Sequence, residues 1–65
     1  MKNRIKELRH KYDLTQDELA EKLEVSRQTI ISLEKERYNP SLILAYRIAK
    51  VFQQQIEEVF IFGEE

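Results

Sequence analysis

The sequence contains no cysteine, and it has one glycine, one proline and one histidine in 65 residues. Without cysteine there is no disulfide framework and no thiolate metal site, and a single histidine does not make a metal site. No apolar run approaches the ~18 residues needed to span a bilayer. The basic start Met1-Lys2-Asn3-Arg4 leads into an amphipathic helix rather than a signal-peptide core, so the chain is expected in the cytoplasm with no membrane partner. A glycine-rich phosphate loop, a nucleophile–base pair and a paired-carboxylate constellation are also missing. No catalytic residue, metal, cofactor or small-molecule ligand is therefore expected, and His10 reads as an exposed helix residue.

A chain of this length makes one domain, and a monomer of that size buries only about 60% of its unfolded surface, so a self-association surface would add stability. The net charge is −1 and the pI about 5.8, which by themselves argue against a nucleic-acid partner. The charges are unevenly placed, however. Residues 1 to 50 hold all 11 Lys/Arg and 8 Asp/Glu, a net of +3, whereas residues 51 to 65 hold 4 Glu and no base, a net of −4. A local positive surface on an acidic molecule is the expectation.

Thr15 to Glu34, TQDELAEKLEVSRQTIISLE, organises the rest. Thr15 followed three residues later by Glu18 is a capping box, which starts a helix at about Gln16. Leu19, Ala20 and Leu23 then share one buried face, and Ala20 is small where a second helix has to cross closely. After Glu24-Val25, Ser26 caps a second helix that begins at Arg27. At 100° per residue Ile30 and Leu33 point inward, while Gln28, Ile31, Ser32 and Lys35 point outward with Arg27 at the start. That outward face carries Arg and Gln, the side chains suited to the edges of guanine and adenine. Helix N-termini at Gln16 and Arg27 add oriented amide groups that bind phosphate without formal charge.

Around this pair the sequence predicts a first helix from about Asn3 to Tyr12, with Ile5, Leu8 and Tyr12 as its buried stripe. Arg9 lies beside that stripe, within reach of Glu34; the alternative leaves both residues solvated. Leu14 staples the next helix. Pro40 forbids helix at Asn39, and Ser41 caps a fourth helix of about Leu42 to Gln53. Its stripes Leu42, Ala45, Ala49, Phe52 and Leu44, Ile48, Val51 require extensive burial, with Ile43 and Tyr46 left over. A short fifth helix at about Ile56 to Phe60 precedes Ile61-Phe62 and Gly63. The cluster Ile56, Val59, Phe60, Ile61 and Phe62 is more than one helical face hides. If residues 60 to 62 extend as a short C-terminal strand, Phe60 and Phe62 point one way, and the strand pairs with a second copy or with the N-terminal residues. A dimer interface through about residues 54–63 is expected; the alternative folds the tail over its own core.

Gln16 to Glu34, together with Asn39-Pro40-Ser41-Leu42, resembles the Cro/repressor (Xre-type) helix-turn-helix family of prokaryotes and phages. The resemblance covers essentially the whole chain, as in a compact stand-alone member. It implies an all-α, five-helix Cro/repressor-like domain over residues 1–65 with its motif at about 15–35. The implied function is sequence-specific regulation of transcription, as a homodimeric repressor on double-stranded DNA. Residue by residue, it implies that Gln16 contacts phosphate and that Arg27, Gln28 and Ser32 face bases, with Ile31 beside a thymine methyl. It also implies that Tyr38 and Asn39 bond a phosphate that Lys35 and Arg37 neutralise, and that Arg9 and Glu34 form a structural ion pair. Glu24 and Glu36 depart from the family, which often has Gly at the first position and Gly or Asn at the second. A left-handed non-Gly residue costs about 1 kcal/mol, which both turns are expected to tolerate. The competing reading keeps the fold but makes the chain a protein-interaction module, antitoxin-like or adaptor, that binds through its apolar C-terminus.

Overall fold

The computed structural model describes residues 1–63. Five helices follow in order: α1 (Ile5–Lys11), α2 (Gln16–Leu23), α3 (Arg27–Glu34), α4 (Leu42–Val51) and α5 (Ile56–Val59). The starts obey the capping chemistry of the sequence. Thr15 Oγ1 accepts the Glu18 amide at 3.0 Å while the Glu18 carboxylate accepts the Thr15 amide at 2.8 Å. Ser26 and Ser41 cap α3 and α4 through the amides of Thr29 and Leu44, each at 3.1 Å. Each such cap satisfies a donor that the helix geometry leaves unpaired.

The helix ends are less ordinary. Asp13, Glu24, Glu36 and Gln53 all have positive φ, between 54° and 61°. Each closes a helix with a paired reversal: Leu14, Val25, Arg37 and Gln54 donate back to the carbonyls of Arg9, Ala20, Ser32 and Ala49. These are the two-bond Schellman ends that glycine normally makes cheaply. Here four non-glycine residues accept the left-handed conformation, two of them the glutamates that depart from the family pattern.

One core joins all five helices: Ile5 and Leu8 from α1, Leu19, Ala20 and Leu23 from α2, Ile30 and Leu33 from α3, Ala45, Ile48 and Ala49 from α4, and Val59 from α5, with Phe52 and Phe60. Ala20 is buried in this core on α2, which packs against both α3 and α4. The α1 stripe stops at Leu8, because Tyr12 is 39% exposed. Its ring instead packs on Phe52, centroids 5.8 Å apart, and its hydroxyl donates to the Phe52 carbonyl at 3.0 Å. A phenol at the rim keeps its polar end wet while its ring covers apolar surface.

At the chain ends the structure takes the alternatives that the sequence left beside a dimer: pairing with the N-terminal residues and a tail folded over its own core. There is no strand among the described residues; a single antiparallel bridge joins Asn3 to Phe60. Arg4 donates its amide to the Val59 carbonyl at 2.7 Å, and Ile61 donates to Lys2 at 3.0 Å. The tail therefore pairs with the chain's own N-terminal residues. Val59 and Phe60 are buried in the monomer core and are corrected as dimer-surface residues. Phe60 points inward while Phe62 is exposed, so the two do not share a side, because Phe60 ends a helical turn rather than opening a strand. Ile56 and Ile61 are half-buried. Leu42, expected in the α4 stripe, is 77% exposed, since it is the first residue of α4 and projects beyond the neighbouring helices.

Candidate nucleic-acid interface

α3 leaves the core with its outer face open. Ile30 and Leu33 are fully buried, Ile31 and Ser32 half-buried, and Arg27, Gln28 and Lys35 exposed. Arg27 stands at the helix start with its guanidinium 3.8 Å from Asp17, a loose and exposed pair that leaves its donors usable. Gln28 makes no side-chain hydrogen bond among the described residues. One shallow depression runs along this face, lined by Ser26, Gln28, Thr29, Ser32, Arg37 and Tyr38. The structure thus brings Gln28 and Ser32 together with Arg37 and Tyr38 of the following loop. Lys35 and Asn39 are exposed beside this cleft without lining it.

A second depression lies at the other end of the face, formed by Lys6, Arg9, Thr15, Gln16, Asp17 and Arg27. It joins the starts of α2 and α3. Its lining carries the cations of Lys6, Arg9 and Arg27 and the carboxylate of Asp17, beside two helix starts of the kind that favour negative charge.

Glu34 organises this end. Its carboxylate accepts from Arg9 Nε at 2.7 Å and Nη2 at 3.3 Å, and from Gln16 Nε2 at 3.1 Å. Arg9 Nη1 donates to the Leu14 carbonyl at 3.0 Å. The side chains of Arg9 and Glu34 are only 9% and 6% exposed. One buried carboxylate therefore ties α1 to the end of α3 and fixes the Gln16 amide at the start of α2. The Gln16 side-chain amide carries a second N–H besides the one that Glu34 accepts. Asn3 Nδ2 donates to the Leu33 carbonyl at 2.8 Å, a second bond to an acceptor that also takes the Glu36 amide at 3.0 Å.

Thr29, Lys6 and Asn3 were missed in the sequence. Ser26, Thr29 and Ser32 recur every three residues, a hydroxyl stripe that the two-face division of α3 hid; Thr29 Oγ1 lies 3.0 Å from Ser26 Oγ. Lys6 falls one turn before Arg9, a spacing that does signal a shared face. Asn3 had no local signal, because its partner is 30 residues away.

No helix of the described residues is long and apolar enough to cross a membrane, and no group of His, Asp and Glu among them has metal-binding geometry.

A helix-turn-helix family model matches residues 5–59. An uncharacterized HTH-type transcriptional regulator of Archaeoglobus fulgidus is 58% identical over 65 residues, covering 100% of this chain and 92% of the relative. The immunity repressor protein of Bacillus phage phi105 is 42% identical over 62 residues, covering 95% of this chain and 42% of its own length. Among solved structures, the SinR protein/SinI protein complex matches with a TM-score of 0.76 and 29% identity over 83% of this chain; the match spans about half, 53%, of that solved chain. With a family model over most of its residues, relatives along its full length and a solved neighbour of similar fold, the chain belongs to the Xre-type helix-turn-helix family of transcriptional regulators.

Proposed function

We propose that this regulator is a repressor that reads a two-fold symmetric operator in double-stranded DNA as a homodimer. The observation that carries the reading is the outer face of α3. Arg27 and Gln28 are exposed and Ser32 half-buried on the outer side of a helix whose inner face is locked in the core, and Gln16, Arg37 and Tyr38 flank it. Arg27 and Gln28 take base edges, Ser32 adapts to either partner, and Ile31 meets a thymine methyl. Gln16, Lys35, Arg37, Tyr38 and Asn39 hold phosphates on the two sides of the major groove. Repression is supported by the name of the phage relative, an immunity repressor. Two subunits would read half-sites about 34 Å apart, one turn of DNA; each body measures 31 × 22 × 20 Å, a size that allows two copies to sit side by side on that span.

Selection of duplexes from a random pool at about 0.1–0.15 M salt, where unspecific phosphate binding is weak, tests this. A two-fold symmetric motif is expected, lost in the Arg27→Ala/Gln28→Ala variant. No enrichment by folded protein would refute it. That result would favour the second reading, a protein-interaction module such as an antitoxin-like or adaptor protein. The apolar outer face of α4 is what supports that alternative, and the solved neighbour's title names a two-protein complex.

A further inference from the structure

Asn3 is half-buried and lines neither depression of the interface, yet its side-chain amide joins separate parts of the chain. Its Oδ1 accepts the Ile5 amide at 3.1 Å and so closes the start of α1, where Arg4 gives no side-chain cap. Its Nδ2 donates to the Leu33 carbonyl at 2.8 Å and to the Met1 carbonyl at 3.2 Å. These partners fix the orientation of the amide, since an N–H requires its oxygen and the carbonyls require its nitrogen. The backbone here is held from the other side by the tail. Asn3 bridges to Phe60, the Arg4 amide donates to the Val59 carbonyl at 2.7 Å, and the Ile61 amide donates to the Lys2 carbonyl at 3.0 Å. Arg4 Nη1 adds a bond to the Glu58 carbonyl at 3.0 Å.

The acceptor that Asn3 reaches belongs to a demanding turn. The Leu33 carbonyl also takes the Glu36 amide, and the next amide, of Arg37, donates to the Ser32 carbonyl at 3.0 Å. Between these bonds Glu36 holds a φ of +61°, a conformation that a side chain disfavours. The reversal therefore depends on its hydrogen bonds more than a glycine end would. It sets down Arg37 and Tyr38, which line the cleft with Gln28 and Ser32.

We propose that Asn3 is a positioning residue for DNA recognition: by holding the Leu33 carbonyl it fixes the reversal that aims Arg37 and Tyr38 at the phosphate beside α3. The inference rests on the DNA reading above and adds to it a residue that touches no DNA. Without the Nδ2 bond the left-handed turn is freer, and Arg37 and Tyr38 must be ordered each time they take up phosphate. The loss falls on phosphate holding. Arg27 and Gln28 stand in the first turn of α3, away from this end, and keep their base preference.

Two variants separate this role from capping of α1. Asn3→Asp keeps the oxygen that Ile5 needs and loses the donor, whereas Asn3→Ala loses both. On the duplex selected by wild type, both should bind about tenfold more weakly, close to the net effect of one hydrogen bond. Base preference should be unchanged, at a temperature where circular dichroism shows every protein folded. Without DNA, amide hydrogen exchange at Glu36 and Arg37 should speed up in both relative to the core amides of α2. Val51→Ala, which trims a half-buried side chain at the end of α4, controls for lowered stability and should change neither reading. If Asn3→Asp binds like wild type while Asn3→Ala does not, Asn3 only caps α1 and the proposal falls. Binding by both variants equal to wild type overturns it and leaves the DNA reading standing, and so does an equal loss in Val51→Ala. A wild type that enriches no duplex ends the DNA reading and this role with it.

Discussion

The outer faces of α3 and α4 are both turned to solvent, yet they have opposite chemistry. On α3 and its C-cap the open side chains are Arg27, Gln28 and Lys35, with Ser32 half-buried among them; on α4 they are Leu42, Ile43 and Tyr46. Water satisfies the first set fully, so α3 loses nothing while its ligand is absent. The second set has no such substitute, and every square ångström left wet forgoes about 25 cal/mol. A face of the first kind suits a partner that comes and goes, and a face of the second kind suits one that stays. The supports behind the faces differ in the same sense. Both helices are anchored in the apolar core, α3 by Ile30 and Leu33 and α4 by Ile48, Ala49 and the adjoining Phe52, but α3 alone adds a charged network centred on Glu34.

The comparison can be broken at its supports first. Ile48→Ala should cost about 2–5 kcal/mol by leaving a cavity under α4, enough to unfold much of a domain this small in a urea titration. Glu34→Ala should cost about 3 kcal/mol, because it strands the Arg9 guanidinium without a counter-charge. It should also weaken DNA binding in the molecules that remain folded, since Gln16 loses its anchor; a thermal melt and a DNA titration of one preparation check both effects. The faces themselves separate more finely. Gln28→Ala should lower discrimination at one base pair by about 1–3 kcal/mol, and Ile43→Ser should leave that discrimination unchanged, with both variants within about 0.5 kcal/mol of wild-type monomer stability. Competition between matched and mismatched duplexes reads the difference. Smallest of all, Lys35→Ala should flatten the slope of log affinity against log salt by about 1 without altering base preference, whereas Tyr46→Ser should leave the slope alone. Glu36→Gly, at the end of α3, should stabilise the fold by up to about 1 kcal/mol, because glycine adopts the φ of +61° without steric cost.

What was legible in the sequence follows the range of the interactions. Thr15, Glu18, Ser26 and Ser41 act within three residues of themselves, so the starts of α2, α3 and α4 could be read directly. The inward set Leu19, Leu23, Ile30 and Leu33 was equally plain, because a helical period names a stripe. A period does not say how far the neighbouring helices reach along it. Leu42 and Tyr12 lie at the ends of their stripes, past the cover, and both are exposed. The tail was harder still: five apolar residues in seven admit several foldings, and the choice of Phe60 over Phe62 is made by Asn3 and Arg4 at the far end of the chain.

That meeting of the chain ends has a kinetic side. Helices of this size form in about a microsecond from local contacts, but the bridge between Asn3 and Phe60 closes nearly the whole chain into a loop, and such closure carries the largest entropic cost of any contact present. Asn3 is also the residue whose side chain holds the Leu33 carbonyl. The contact that must close one of the longest loops is thus coupled to the final turn of α3. A molecule whose ends have frayed apart should therefore also lose the Asn3 hold on the last turn of α3.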